Sequence, residues 1–230
     1  MPQLFTYQEV REKVERDLHL EARNFIKPDE MIGLCNEAID EAEAEIHGLY
    51  EDYFLTYAAI TFASGTDEYD LPANIYGHKV RRFLFENGSE RYTIHRLRDW
   101  HKFEIQSESN FNPDSVRYRY FITNASAGNS KLVLVPVSTH AGAFGKLWYI
   151  RQVEHVTQDS DTVDIPEFAN FVMQYMKWRI YEKRGHSEYM AKAERDLERQ
   201  RGLMVGTLEA MVADAADEIE PDMSVYEEHS

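Results

Sequence analysis

The chain has 230 residues and 26.9 kDa, with 43% apolar and 29% charged residues and 12 Phe, 14 Tyr and 3 Trp. That excludes whole-chain disorder and is enough for a core without metal or disulfide, and the single cysteine, Cys35, excludes an intrachain disulfide and a cysteine-rich zinc site. The formal net charge of −16 repels phosphate and argues against a nucleic-acid-binding module; no apolar run approaches the ~18 residues of a membrane span, and Met1–Glu12 is too charged for a signal peptide.

A first helix is expected over 6–20. Thr6 and Glu9 have capping-box spacing, and Tyr7, Val10, Val14 and Leu18 share a face. After Lys27-Pro28, Asp29 is placed to cap a second helix of about 24 residues, roughly 36 Å long. Ile32, Cys35, Ile39, Ala42, Ile46, Leu49 and Tyr53 form a narrow apolar seam on it, and Glu37, Asp40, Glu41, Glu43 and Glu45 cover its other faces.

The middle of the chain reads as about six strands. Leu55–Phe62 is β-branched and aromatic, and Tyr69-Asp70-Leu71-Pro72 is a short strand ended by proline. Lys79–Phe85 and Arg91–Leu97 flank Asn87-Gly88, a hairpin signal. Ser115–Thr123 alternates Val116, Tyr118 and Tyr120 with Arg117 and Arg119; Ser130–Val137 and Lys146–Val156 follow, with Gly142 and Gly145 in the loop between them. Trp100, Phe103 and Glu104 suggest a short helix over 99–107.

Helices return after Asp164-Ile165-Pro166. Phe168, Phe171, Val172, Tyr175, Met176 and Ile180 give a wide apolar face on a central helix that Gly185 ends. The last helix starts at Ser187 and carries Met190, Ala193, Leu197, Met204, Leu208 and Met211, with Gly202 and Gly206 interrupting it. The expected class is therefore α+β: a helical bundle of two N-terminal and two C-terminal helices (1–54 and 166–218), an inserted antiparallel β-domain (55–165) and an acidic flexible tail (219–230).

Charge is unevenly distributed. Residues 202–230 hold eight acids and no Lys or Arg, whereas Lys79–Lys102 holds seven bases against three acids. Arg81, Arg82, Arg96 and Arg98, interleaved with Phe83, Tyr92 and Trp100, suit an acidic protein surface better than phosphate, given the total charge. No His-Glu-x-x-His, glycine-rich phosphate loop or Gly-x-Ser-x-Gly elbow is present. Glu43 with His47 and Glu182 with His186 read as solvated helix faces, Cys35 as a core residue, and Asp159, Asp161 and Asp164 as loop carboxylates without a calcium-loop frame. Neither an enzyme nor a cofactor nor a metal is expected.

Several short signatures occur in order: Leu34-Cys35-Asn36-Glu37-Ala38-Ile39 in the second helix, Tyr69-Asp70-Leu71-Pro72, Leu132-Val133-Leu134-Val135-Pro136, Leu147-Trp148-Tyr149-Ile150-Arg151, and Asp164-Ile165-Pro166-Glu167-Phe168 at a helix start. Over about residues 6–200 this series resembles the head–tail adaptor proteins of tailed bacteriophages. The resemblance implies a ring, commonly of twelve subunits, in the virion neck after synthesis in the host cytoplasm. It also implies that the C-terminal segment docks on the portal, that the β-domain faces the tail, nozzle or neighbouring subunits, and that double-stranded DNA passes through without tight binding.

From these residues and that likeness, Met204, Leu208, Met211, Met223 and Tyr226 are expected at the portal. Arg81, Arg82, Arg96 and Arg98 are expected between subunits, and Asp40, Glu41, Glu43 and Glu45 on the lumen. A heterologous ring contact needs two different faces, which an acidic end and a basic middle provide. The competing function is a single-stranded nucleic-acid-binding protein using the basic β-region, which a steep salt dependence of affinity would reveal.

Overall fold

The structure, a computed structural model, describes residues 4–20, 25–97, 117–123 and 130–216. Arg98, Val116, the segment expected as a short helix over 99–107, and the tail with Met223 and Tyr226 lie outside the described residues. The class is α+β. Four α-helices and two four-stranded sheets are found among the described residues. The chain divides into two compact units, Met1–Tyr53 with Val153–Ser230, and Phe54–Gln152.

In the first unit, α1 (Tyr7–Asp17) starts with the capping box: Thr6 Oγ1 accepts the Glu9 amide at 3.3 Å and Glu9 Oε2 accepts the Thr6 amide at 2.9 Å. The second helix, α2 (Pro28–Leu49), starts earlier than expected. Lys27 is its N-cap without a side-chain bond, Pro28 takes the first helical position, and Asp29 and Glu30 lie in the first turn rather than capping it. Proline's fixed φ and missing N–H suit that position. Met31 and Ala38 join Cys35, Ile39, Ala42 and Ile46 in the buried face, while Leu49 is exposed. The face is wider than a coiled-coil seam because α2 packs against two helices, α3 (Ala169–Arg184) and α4 (Ser187–Ala216).

The helix α3 touches all three others. A 3-10 turn, Pro166–Phe168, leads into it, and Gly185 closes it in the left-handed region at φ 68°. Ion pairs add to the apolar contacts: Lys177 with Asp17 at 2.6 Å, Arg179 with Glu37 at 3.3 Å, and Lys183 with Glu30. Such exposed pairs contribute about 0–1 kcal/mol each. Helix α4 runs unbroken through Gly202 and Gly206, each of which lowers its helix propensity. Both glycines are exposed, and a Cβ at either would meet nothing within 4 Å. Gly202→Ala and Gly206→Ala are each expected to raise stability by about 1 kcal/mol, read as a higher urea midpoint, and the pair by about twice that.

Residues 153–165, expected in the β-domain, belong with the helices. The Tyr7 amide donates to the Asp161 carbonyl at 2.8 Å and the Val163 amide to the Phe5 carbonyl at 2.9 Å. Side chains of α2 also grip residues 153–156 (below).

In the second unit one sheet has the order β1 (Leu55–Thr61), β8 (Phe144–Arg151), β3 (Ile75–Asn87), β4 (Glu90–Thr93). The other has the order β2 (Glu68–Asp70), β7 (Lys131–Val135), β6 (Arg119–Thr123), β5 (His95–Arg96). The expected hairpin is present, shifted by one residue: Asn87 pairs with Glu90, so the turn is Gly88-Ser89 with only Gly88 at positive φ, 60°. The unit is not wholly antiparallel, because β5 runs parallel to β6. That pairing needs a long crossover, here residues 97–118. Gly145 lies inside β8, not in a loop. Phe62, Phe83, Phe85, Tyr118, Tyr120, Leu132, Leu134 and Leu147 form one core between the sheets.

Candidate functional site

The candidate interaction residues fall into three sets. The first is basic. Arg81, Arg82 and Arg96, separated in sequence by a hairpin, line one groove of about 500 Å³ with His95, Leu97 and Tyr120. Arg82 and Arg96 are exposed. Burial pushes the Tyr120 phenol above its ordinary value, and the nearby Arg96 charge works against that shift. Arg98 lies outside the described residues.

The second set is the row of acids on α2. Asp40 and Glu41 are exposed, and Glu43 and Glu45 are half-buried. Each has a partner within its unit. Asp40 meets His155 at 2.7 Å, Glu43 accepts the Val153 amide at 2.8 Å, and Arg201 lies 2.6 Å from Glu41 and 3.6 Å from Glu45. Asn36 completes the row: its Nδ2 donates to the Val156 carbonyl and its Oδ1 accepts the Val156 amide, both at 3.0 Å. Positions 36, 40 and 43 share one helix face, where Asn36 and Glu43 hold an extended segment by its backbone, as an edge strand would, and Asp40 holds it through the His155 ring. Asn36 was not among the residues expected to matter; it stood in the sequence as part of a helical motif.

The third set is on α4. Met204 and Leu208 are buried, so in this conformation they seat α4 on its own unit; Met211 is half-buried. The exposed apolar side chains of that stretch are Leu203 at 57% and Val212 at 40%.

No group of three or more His, Cys, Asp or Glu able to hold a metal occurs among the described residues. Burial pushes the Cys35 thiol up to about 12, which keeps it protonated at neutral pH. The three loop carboxylates serve the fold. Asp159 pairs with Arg11 at 2.5 Å, Asp164 accepts the Glu154 amide at 2.9 Å, and Asp161 accepts the Thr157 amide at 2.7 Å and hydroxyl at 2.8 Å. Those bonds, with a further one from the Gln158 amide at 3.1 Å, lower Asp161 from its ordinary 3.8 to about 2. A lowered carboxylate stabilises the fold above its unfolded value and ceases to do so as pH falls through its folded one. Asp161→Asn is therefore expected to lower the melting temperature at neutral pH, with the difference from wild type closing between pH 4 and pH 2.

The two units differ in charge. Phe54–Gln152 holds twelve Lys and Arg against nine Asp and Glu, and the remainder of the chain thirteen against thirty-two. The whole negative excess thus belongs to the helical unit. A bipolar, core-rich chain whose described candidate residues are surface or packing residues has the character of an assembly component.

A family model described as SU10 adaptor protein matches residues 5–219. The chain belongs to that family. SU10 adaptors are a phage head–tail adaptor family, structural rather than enzymatic, and so interact with other head or tail components. No curated protein matches the chain. The SU10 adaptor match runs through both units and stops short of residues 220–230, where the acidic end continues. Among the described residues, no helix of this SU10 adaptor is long and apolar enough to cross a membrane.

Proposed function

We propose that the protein assembles as a ring, of the twelve copies common among head–tail adaptors, which joins the portal to the tail or nozzle in the virion neck and continues the DNA channel. The observation that carries this reading is the family match over residues 5–219. In this reading the four helices form the bundle. The α2 acids Asp40, Glu41, Glu43 and Glu45 line the lumen, where negative charge lets double-stranded DNA slide without tight binding. Arg81, Arg82, Arg96 and Arg98 meet an acidic face of the neighbouring subunit, the heterologous contact a ring needs.

Portal docking falls to the end of the chain. Met204 and Leu208, being buried, contribute by seating α4, and the contact itself belongs to Met211, Met223 and Tyr226. Met side chains adapt well to such surfaces. Deleting residues 219–230 is expected to weaken portal binding; unchanged binding would remove this part of the reading.

The test of the whole is the size and shape of the purified protein, by light scattering and negative-stain electron microscopy, alone and with its portal. Rings support the reading and give the copy number. A monomer that ignores the portal yet binds single-stranded DNA with a steep salt slope overturns it in favour of nucleic-acid binding.

A further inference from the structure

The outer face of the first sheet carries a surface that shares only Arg82 with the basic groove. Side chains alternate across a strand, so Gly145, Leu147 and Tyr149 of β8 face the core while Phe144, Lys146 and Trp148 face away from it. The register sets Tyr57 of β1 and Arg82 of β3 on either side of Trp148. Tyr57 is 55% exposed and Phe144 56%. The Lys146 ammonium sits 4.0 Å from the centre of the Tyr57 ring and 4.6 Å from that of Trp148. Neither Lys146 nor Arg82 has a carboxylate partner among the described residues.

We infer that this aromatic and cationic face docks on the acidic helical unit of a second copy of this chain, an inference that rests on the ring reading and names a contact within it. Charge complementarity identifies the occupant. The β unit has a positive excess, and the helical unit has thirty-two acids against thirteen bases. Its base-free stretch from Gly202 onward adds exposed Leu203 and Val212 to those acids. Aromatic side chains supply the area of such a contact, and complementary charges supply register and specificity. A strand of nucleic acid fits less well. The ammonium already occupies the ring faces on which bases would stack, and the chain as a whole repels phosphate.

Zero-length carbodiimide coupling of an equal mixture of nitrogen-15-labelled and unlabelled full-length protein, alone and on the portal, tests this. The expected product is a mixed-isotope peptide pair joining Lys146 to an Asp or Glu of the helical unit, diminishing at high salt. Phe144→Asp should lower its yield on the order of tenfold, as loss of an aromatic anchor does. Rings that form without any Lys146 cross-link, or that Phe144→Asp assembles as well as wild type, overturn this contact and leave the ring reading standing. A chain that remains monomeric alone and with the portal overturns both. Protection of Lys146 from acetylation by a single-stranded oligonucleotide, with no mixed-isotope product, assigns the face to nucleic acid instead.

Discussion

Gly145→Ala is expected to destabilise the β unit by about 2–3 kcal/mol, the upper part of the range for overpacking a filled core. Gly145 pairs with Ile60 on one side and Phe85 on the other, in the middle of its sheet. A Cβ there would lie 2.6 Å from Phe83 Cε2 and 2.9 Å from Phe62 Cζ. Both rings are 1% exposed and edge-to-face with each other at 6.1 Å between centroids, so neither is a flexible end that can swing aside. Accommodation would require β8 to shift within its ladder or the two rings to leave their rotamers. The measurement is urea unfolding followed by far-UV circular dichroism. The midpoint should fall, and Phe83→Leu placed in the Gly145→Ala background should recover part of the loss by vacating the space. An unchanged midpoint for Gly145→Ala would show that the rings do not hold the positions described.

Asn36→Ala is expected to cost about 2–3 kcal/mol in the helical unit. Each hydrogen bond contributes about 0.5–1.5 kcal/mol net, and removing one partner leaves buried groups without a mate at about 1–3 kcal/mol. Val156 is 1% exposed, so its amide and carbonyl would lose Asn36 with little water to replace it. Asn36→Asp tests the geometry. It keeps the acceptor for the Val156 amide but sets a carboxylate oxygen against the Val156 carbonyl, so it should be as harmful at neutral pH and partly recover in acid. Asp40→Asn is the contrast: its partner His155 is exposed, and the change should stay within about 1 kcal/mol. Faster hydrogen exchange at the Val156 amide in Asn36→Ala, with α3 amides unchanged, would locate the loss in the gripped segment.

Much of the local structure was legible in order along the chain. The capping box at Thr6 and Glu9, the stop at Gly185 and the alternation of Tyr118 and Tyr120 with Arg117 and Arg119 each depend on neighbours within a few residues. Periodicity likewise marked Cys35, Ile39, Ala42 and Ile46 as buried. The misread positions have a common cause. Leu49 lies in register with the seam but is exposed, and Gly145 resembles a loop residue until two phenylalanines are brought against it. The candidate sites followed the same division. Charge asymmetry is additive over residues and could be counted, so the basic middle and acidic end were visible in advance. That Met204 and Leu208 are buried, or that Asp40 and Glu43 hold residues 153–156, depends on partners more than a hundred residues away or on another helix.

By itself, the sequence of this SU10 adaptor determined its class, the order of its helices and strands, the opposite charge of its middle and its ends, and the family it resembles. These are properties of composition and short-range pattern. Only the tertiary structure decided that residues 153–165 belong with the helices, that one strand pair runs parallel, and that Tyr57, Phe144, Lys146 and Trp148 share the outer face of one sheet. Those facts depend on strand register and on which surfaces meet across long stretches of chain. A local pattern constrains a residue's own face of a strand or helix, but not the element that comes to lie against it.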